Sequence, residues 1–216
     1  MAQRKDQKTE RWERAMRVGY DIIEECRVQL MLKFRFLDLA LWRMPVEAVT
    51  VVGRYPVATD GKRVYFEPYS EINRFENGFD EAVRDYLHMV MHCIFRHPFD
   101  EGHKNHQAWW LACDVMSESV CMEMCGTRFP SPDDAARRAM LSELRLLCGA
   151  LMPGKLYDLP LYFGNFSSDS RRNFTAYFTR GNGEEIGRQD WNADYDAAKG
   201  AGRSGNSAIG CRYVAG

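Results

Sequence analysis

Residues 86–99 read YLHMVMHCIFRHPF, with His88 and His92 four positions apart in a strongly apolar run and a third histidine, His97, directly ahead of Pro98. Residues four apart on an α-helix differ by about 40° in direction and lie one above the other. A helix here therefore aims two imidazoles at one point, which is why His-x-x-x-His recurs in zinc sites. The pair alone is a weak signal, because an apolar helix acquires it readily by chance. His97 is nine positions beyond His88, so on a continuous helix it faces about 180° away. It joins the pair only if the chain turns sharply first. Pro98 disfavours helical geometry at the residue before it, so the helix should stop near Arg96.

The next apolar stretch, QAWWLACDVMSESVCMEM (107–124), carries an acid in its middle, Asp114. A buried carboxylate without compensation costs several kcal/mol or changes its protonation state. Glu118 lies one turn later on the same face. Two helices, one offering His-x-x-x-His and the other Asp-x-x-x-Glu, can converge on one cation with two nitrogens and an oxygen, leaving a fourth position open. The third ligand by this reading is Asp114, with His97 and Glu118 as alternatives. The plainer reading is that Asp114 pairs with an arginine or orients a histidine.

Working outward, Ala15, Val18, Ile22, Cys26, Leu30, Phe34, Leu37 and Leu41 recur at steps of three and four. That spacing predicts one long amphipathic helix, or two in tandem, closed by Pro45. β-Branched and aromatic residues at Val49–Val52 and Val64–Phe66, with Asp60-Gly61 as a turn between, predict a sheet of two or three strands. After Asn77-Gly78, the residues Phe79, Val83, Leu87, Met91 and Ile94 form the apolar side of the histidine helix. Ser131-Pro132-Asp133-Asp134 is a helix start, with a capping residue, an early proline and two acids against the dipole. The fold class expected is α+β, mainly helical, with a small sheet near residues 48–67.

Residues 8–163 make one domain in this reading. From Gly164 onward the chain holds nine of its seventeen glycines and few aliphatics, so residues 164–216 are expected to be a flexible, glycine-rich segment. Over 216 residues the formal charge is −1. No long-range field favours nucleic acid or an anionic membrane, and no apolar run reaches the roughly 18 residues of a membrane span. The polar start lacks the apolar core of a secretory signal, and the seven cysteines are an odd number set mostly in helical patterns. Reduced thiols and a cytoplasmic location follow as expectations. Cys121 and Cys125 share a helix face but have no CxxC partner pair, so they read as small buried hydrophobes. His103 and His106 sit in a polar stretch and read as solvated.

Three ordered motifs, TDGKRVYF (59–66), YLHMVMHCIFRHPF (86–99) and WWLACDVMSESV (109–120), together resemble a known family. It is the metallopeptidase-like N-terminal domain of bacterial proteins that carry von Willebrand A-like modules. The resemblance covers roughly residues 10–160. It implies a zincin-like fold, zinc as the metal, His88 and His92 as ligands and Asp114 as the third. It also implies a peptide or protein substrate and a von Willebrand A-like partner module, which the glycine-rich end of this chain does not resemble.

One departure bears on activity. In a zincin the residue after the first histidine is the glutamate that activates water; here it is Met89, which cannot take a proton. Glu118 is then the candidate general base. The alternative is a non-catalytic, metal-stabilised interaction module, and a third reading is a helical domain without metal whose histidines are satisfied by Asp114 and Glu118.

Overall fold

The computed structural model of the protein describes residues 2–50, 57–100, 106–159, 161–163, 173–179, 185–192 and 209–210. The first apolar stripe forms two helices in tandem, α1 (Ala2–Lys33) and α2 (Asp38–Arg43), with a 3₁₀ turn at Arg35–Leu37 between them. Ile22, Cys26, Leu30, Leu37 and Leu41 are buried as their spacing predicts, whereas Val18 is 42% exposed and falls off the stripe. Gly19 lies where α1 meets the sheet, and a Cβ there would overlap the fully buried Phe66 ring.

Three short strands follow: β1 (Val46–Ala48), β2 (Val57–Thr59) and β3 (Val64–Phe66). β3 is central, parallel to β1 and antiparallel to β2, so the sheet is mixed. The first strand thus lies just ahead of the expected Val49–Val52, and Val51 and Val52 are outside the described residues. Asp60 and Gly61 make the β2–β3 turn. Asp60 Oδ1 accepts from the amides of Lys62 and Arg63, and its Oδ2 accepts from Tyr65, so this carboxylate is committed to the turn. Gly61 has φ of 81°, and a side chain there would strike the Phe99 ring.

Helix α3 (Pro68–Asn77) was not read from the sequence. Pro68 stands at its first turn and the Glu67 carboxylate accepts from Ser70 N at 2.6 Å, a cap that a strand-like approach had hidden. After Gly78 comes α4 (Phe79–Ile94), the histidine helix. It is buried from Ala82 to His92, although Ile94, counted on its apolar side, is 42% exposed. Arg74 on α3 donates to both carboxylate oxygens of Asp85 and to Glu81, tying the two helices together.

Helices α5 (His106–Cys125), α6 (Asp134–Cys148) and α7 (Pro153–Tyr157) complete the helical body. α5 serves two cores. Cys121 and Cys125 pack with α1, α4 and the sheet, while Leu111, Ala112, Val115 and Met122 pack with Leu141 and Leu144 of α6 and Leu156 of α7. α6 begins at Asp134, three residues past the expected cap. The Ser131 amide donates to Asp134 and the Asp133 amide to Ser131, but the cap position is Asp133, whose side chain makes no capping bond, and Pro132 lies ahead of the helix. Among the described residues six cysteines are free thiols, and no helix is long and apolar enough to cross a membrane.

Within the segment expected to be flexible, β5 (Asn173–Thr179) and β6 (Glu185–Asn192) pair antiparallel, and β4 (Leu161–Phe163) pairs with β5. A two-residue strand, β7 (Ile209–Gly210), pairs with β2. The rest of the glycine-rich stretch DAAKGAGRSGNSAIG (196–210) lies outside the described residues.

Glu71 on α3 is 1% exposed, and neither of its carboxylate oxygens has a hydrogen-bond partner. Burial, with Asp85 nearby and Arg74 only partly opposing, pushes its pKa up to about 8. The folded chain therefore holds this proton after the unfolded chain has released it. Stability from this group is fully present below the unfolded value of about 4.5 and is lost as pH rises towards 8, at up to about 1.4 kcal/mol per unit. Urea titrations of wild type and Glu71→Gln between pH 5 and pH 8 should show the variant gaining relative stability as pH rises. Parallel pH profiles would show that Glu71 is ionised in the fold.

Candidate metal centre

α4 and α5 pack side by side, and their facing polar residues meet in the interior. His88, His92 and Asp114 each offer a ligand atom, and those atoms all lie within 4.8 Å of one another. All three side chains are buried, His92 completely. His88 Nε2 is 2.8 Å and His92 Nε2 3.7 Å from Asp114 Oδ1. Ligands about 2.0–2.1 Å from a tetrahedral zinc stand roughly 3.3–3.5 Å apart. The 3.7 Å pair is close to that, and the 2.8 Å pair, a hydrogen bond here, would have to widen around an ion. The donor set of two imidazoles and a carboxylate also suits that ion. Among the described residues, no other group of three such side chains is assembled in this way.

The second nitrogen of each histidine faces a different neighbour. His88 Nδ1 lies 3.0 Å from Glu118 Oε2. Glu118 Oε1 in turn is 3.3 Å from Arg137 Nη1 and 3.5 Å from Arg84 Nη2, and Arg84 is itself buried against Asp134 and the carbonyl of Phe129. His92 Nδ1 lies 3.1 Å from His97 Nδ1. His97 reaches this place because Arg96 takes left-handed geometry, φ 61°, and reverses the chain into a 3₁₀ turn at His97–Phe99. The sharp turn is present, and it brings His97 to the outer edge of His92 rather than into the group of three.

Electrostatics separate the histidines. Burial alone would lower the His88 pKa, but Asp114, with Cys121 and Glu118 bonded to the ring, holds it well above the ordinary value. His92 is lowered to about 4 by burial, with the neighbouring His88 adding to the effect and Asp114 opposing it. His97 is lowered to about 3 by burial and then by His92 and His88. His92 and His97 are therefore neutral at pH 7, the form in which imidazole ligates metals. His88 instead favours the protonated form, and a metal there would have to displace the proton on Nε2 that faces Asp114.

Other residues singled out in the sequence are placed as follows. Met89 is fully buried in the apolar core formed by α1, the sheet and α4. Trp109 is buried with its ring edge-on to Tyr157, and Trp110 packs in the second core. His103 is outside the described residues, as is the side chain of His106. The hairpin of the TDG motif reaches the site's helix, where Cys93 Sγ donates to Thr59 Oγ1 at 3.5 Å. Sequence reasoning missed Arg84 and Arg137. An arginine inside the apolar pattern of α4 was the available signal, because a buried guanidinium implies buried acids.

No family model matches the chain, and neither a curated protein nor a solved structure matches it. What stands is a mainly helical domain with a small mixed sheet and a buried His-x-x-x-His plus Asp group that can hold a metal.

Proposed function

We propose that the helical body is a metal-binding domain of metallopeptidase-like type, in which His88, His92 and Asp114 hold one zinc ion between α4 and α5. The observation that carries this reading is the convergence of three buried donor atoms from two helices. A zinc ion held by three protein ligands supplies Lewis acidity at its remaining position, and it also braces the two helices. The chain's own residues favour bracing over turnover. Met89 lies in the core where a zincin has its glutamate. Glu118 faces the Nδ1 edge of His88 and is engaged by two arginines, away from the Nε2 edge that faces Asp114. Without a placed general base, hydrolysis is slower by about two to four orders of magnitude.

The second reading is a working hydrolase of peptides or proteins with Glu118 as base. A ligand set of three, which leaves one position for substrate, favours it. A von Willebrand A-like partner belongs to either reading and rests on the motif resemblance alone.

Elemental analysis of protein purified without chelator should find about one zinc per chain. Peptide hydrolysis should stay at the level seen with EDTA. Metal-free protein that takes up no zinc on titration would overturn the metal reading. Turnover that requires zinc and is lost in Glu118→Gln would establish the second reading over the first.

A further inference from the structure

Each histidine of the metal group has a separate partner at its far nitrogen: Glu118 for His88 at 3.0 Å and His97 for His92 at 3.1 Å. We propose that Glu118 and His97 are positioning residues, which fix the ring orientation and tautomer of the two ligands so that both Nε2 atoms face Asp114. The inference rests on the metal-site reading and extends it to the groups behind the ligands.

A neutral imidazole carries one proton, on either nitrogen, and it ligates through the other. Glu118 Oε2 accepts from His88 Nδ1–H, which leaves Nε2 for the metal. Its other oxygen is held by Arg137 and Arg84, so the carboxylate is fixed in direction. Such carboxylate–histidine pairs behind a metal tighten binding by about 10–100-fold.

His92 is completely buried, and its Nδ1 faces a nitrogen rather than an oxygen. Two imidazole nitrogens at this distance are bonded only if one donates and the other accepts. With His92 Nδ1–H donating and His97 Nδ1 accepting, His92 Nε2 is the bare nitrogen and points to Asp114. The reverse assignment puts the His92 proton on Nε2, against the metal. The left-handed turn at Arg96 serves this contact, since it brings the buried His97 back to the end of α4.

The test uses the full chain and zinc or cobalt(II) alone. His97→Leu and Glu118→Leu should each weaken zinc binding about 10–100-fold in a chelator competition. His97→Asn, whose side-chain oxygen accepts in place of Nδ1, should recover most of the loss. Glu118→Gln, which still accepts but without charge, should fall between wild type and Glu118→Leu. Nitrogen-15 spectra of the imidazoles in zinc-loaded wild type should show His88 and His92 protonated at Nδ1 and ligated at Nε2. X-ray absorption of cobalt-loaded His97→Leu should still count two imidazoles.

Wild-type affinity in all four variants, with each shown folded by circular dichroism, would overturn the inference while leaving the metal site standing. Loss of an imidazole from the metal in His97→Leu would also overturn it, because His97 would then be a ligand. Failure of wild type to bind either ion would remove the metal reading itself.

Discussion

Replacing His92 with alanine should abolish the zinc-dependent part of the protein's stability. A ligand that binds only the folded chain stabilises it by about 2.7 kcal/mol at one hundred times its dissociation constant and about 4.1 kcal/mol at one thousand times. Wild type should therefore gain several kcal/mol between EDTA and saturating zinc, measured by urea titration. His92→Ala should gain nothing. The alanine also leaves a cavity in a completely buried position, which lowers stability in both conditions. The increment between the two conditions is the decisive quantity, since a cavity alone would leave it intact. Asp114→Asn provides a second reading with little change in volume: it keeps the side chain's shape and removes the charge, and its increment should fall by at least half. A full zinc increment in both variants would place the metal elsewhere.

The second large effect concerns Arg84. Its guanidinium is 4% exposed and is held by Asp134 at 2.8 Å, the Phe129 carbonyl at 3.0 Å and Glu118 at 3.5 Å. Removing one member of a buried charge network leaves the others uncompensated and costs about 3–5 kcal/mol. Arg84→Met, which keeps much of the volume, should lower the unfolding free energy by that amount with EDTA present, independently of any metal. Arg84→Lys should rescue little, because an ammonium cannot reproduce the planar fork that reaches three partners. A loss below about 1 kcal/mol for Arg84→Met would mean that Arg137 alone satisfies Glu118 and that Asp134 is content in solvent.

Both effects arise from residues whose roles were unequally visible in the chain. The shared face of His88 and His92 is a property of helical periodicity, and the misfit of Asp114 in WWLACDVM is a property of composition. Neither needs a neighbour to be noticed. The same holds for the helical stripe ahead of Pro45, though not for its division into two helices, and for the Asp60-Gly61 turn. In each case the physical cause acts over a few residues, through side-chain spacing or a positive φ.

The remaining features are set by contacts between distant parts of the chain. Glu118 could be placed on the same face as Asp114 from spacing, but its direction depends on where α4 and the two arginines lie. His97, read as facing away on a straight helix, is brought back by a left-handed residue, Arg96, that no local preference demands. Val18 and Ile94 fit the apolar spacing of their helices and are still 42% exposed each, because spacing along one helix does not fix what packs against it. The sequence by itself determined that two imidazoles and a misplaced acid stand on adjacent helices. Only the tertiary structure decided that they meet within 4.8 Å, which nitrogen of each ring faces inward, and what stands behind it. The reason is physical: helix geometry is local, whereas the direction of a buried side chain is fixed by the atoms packed against it.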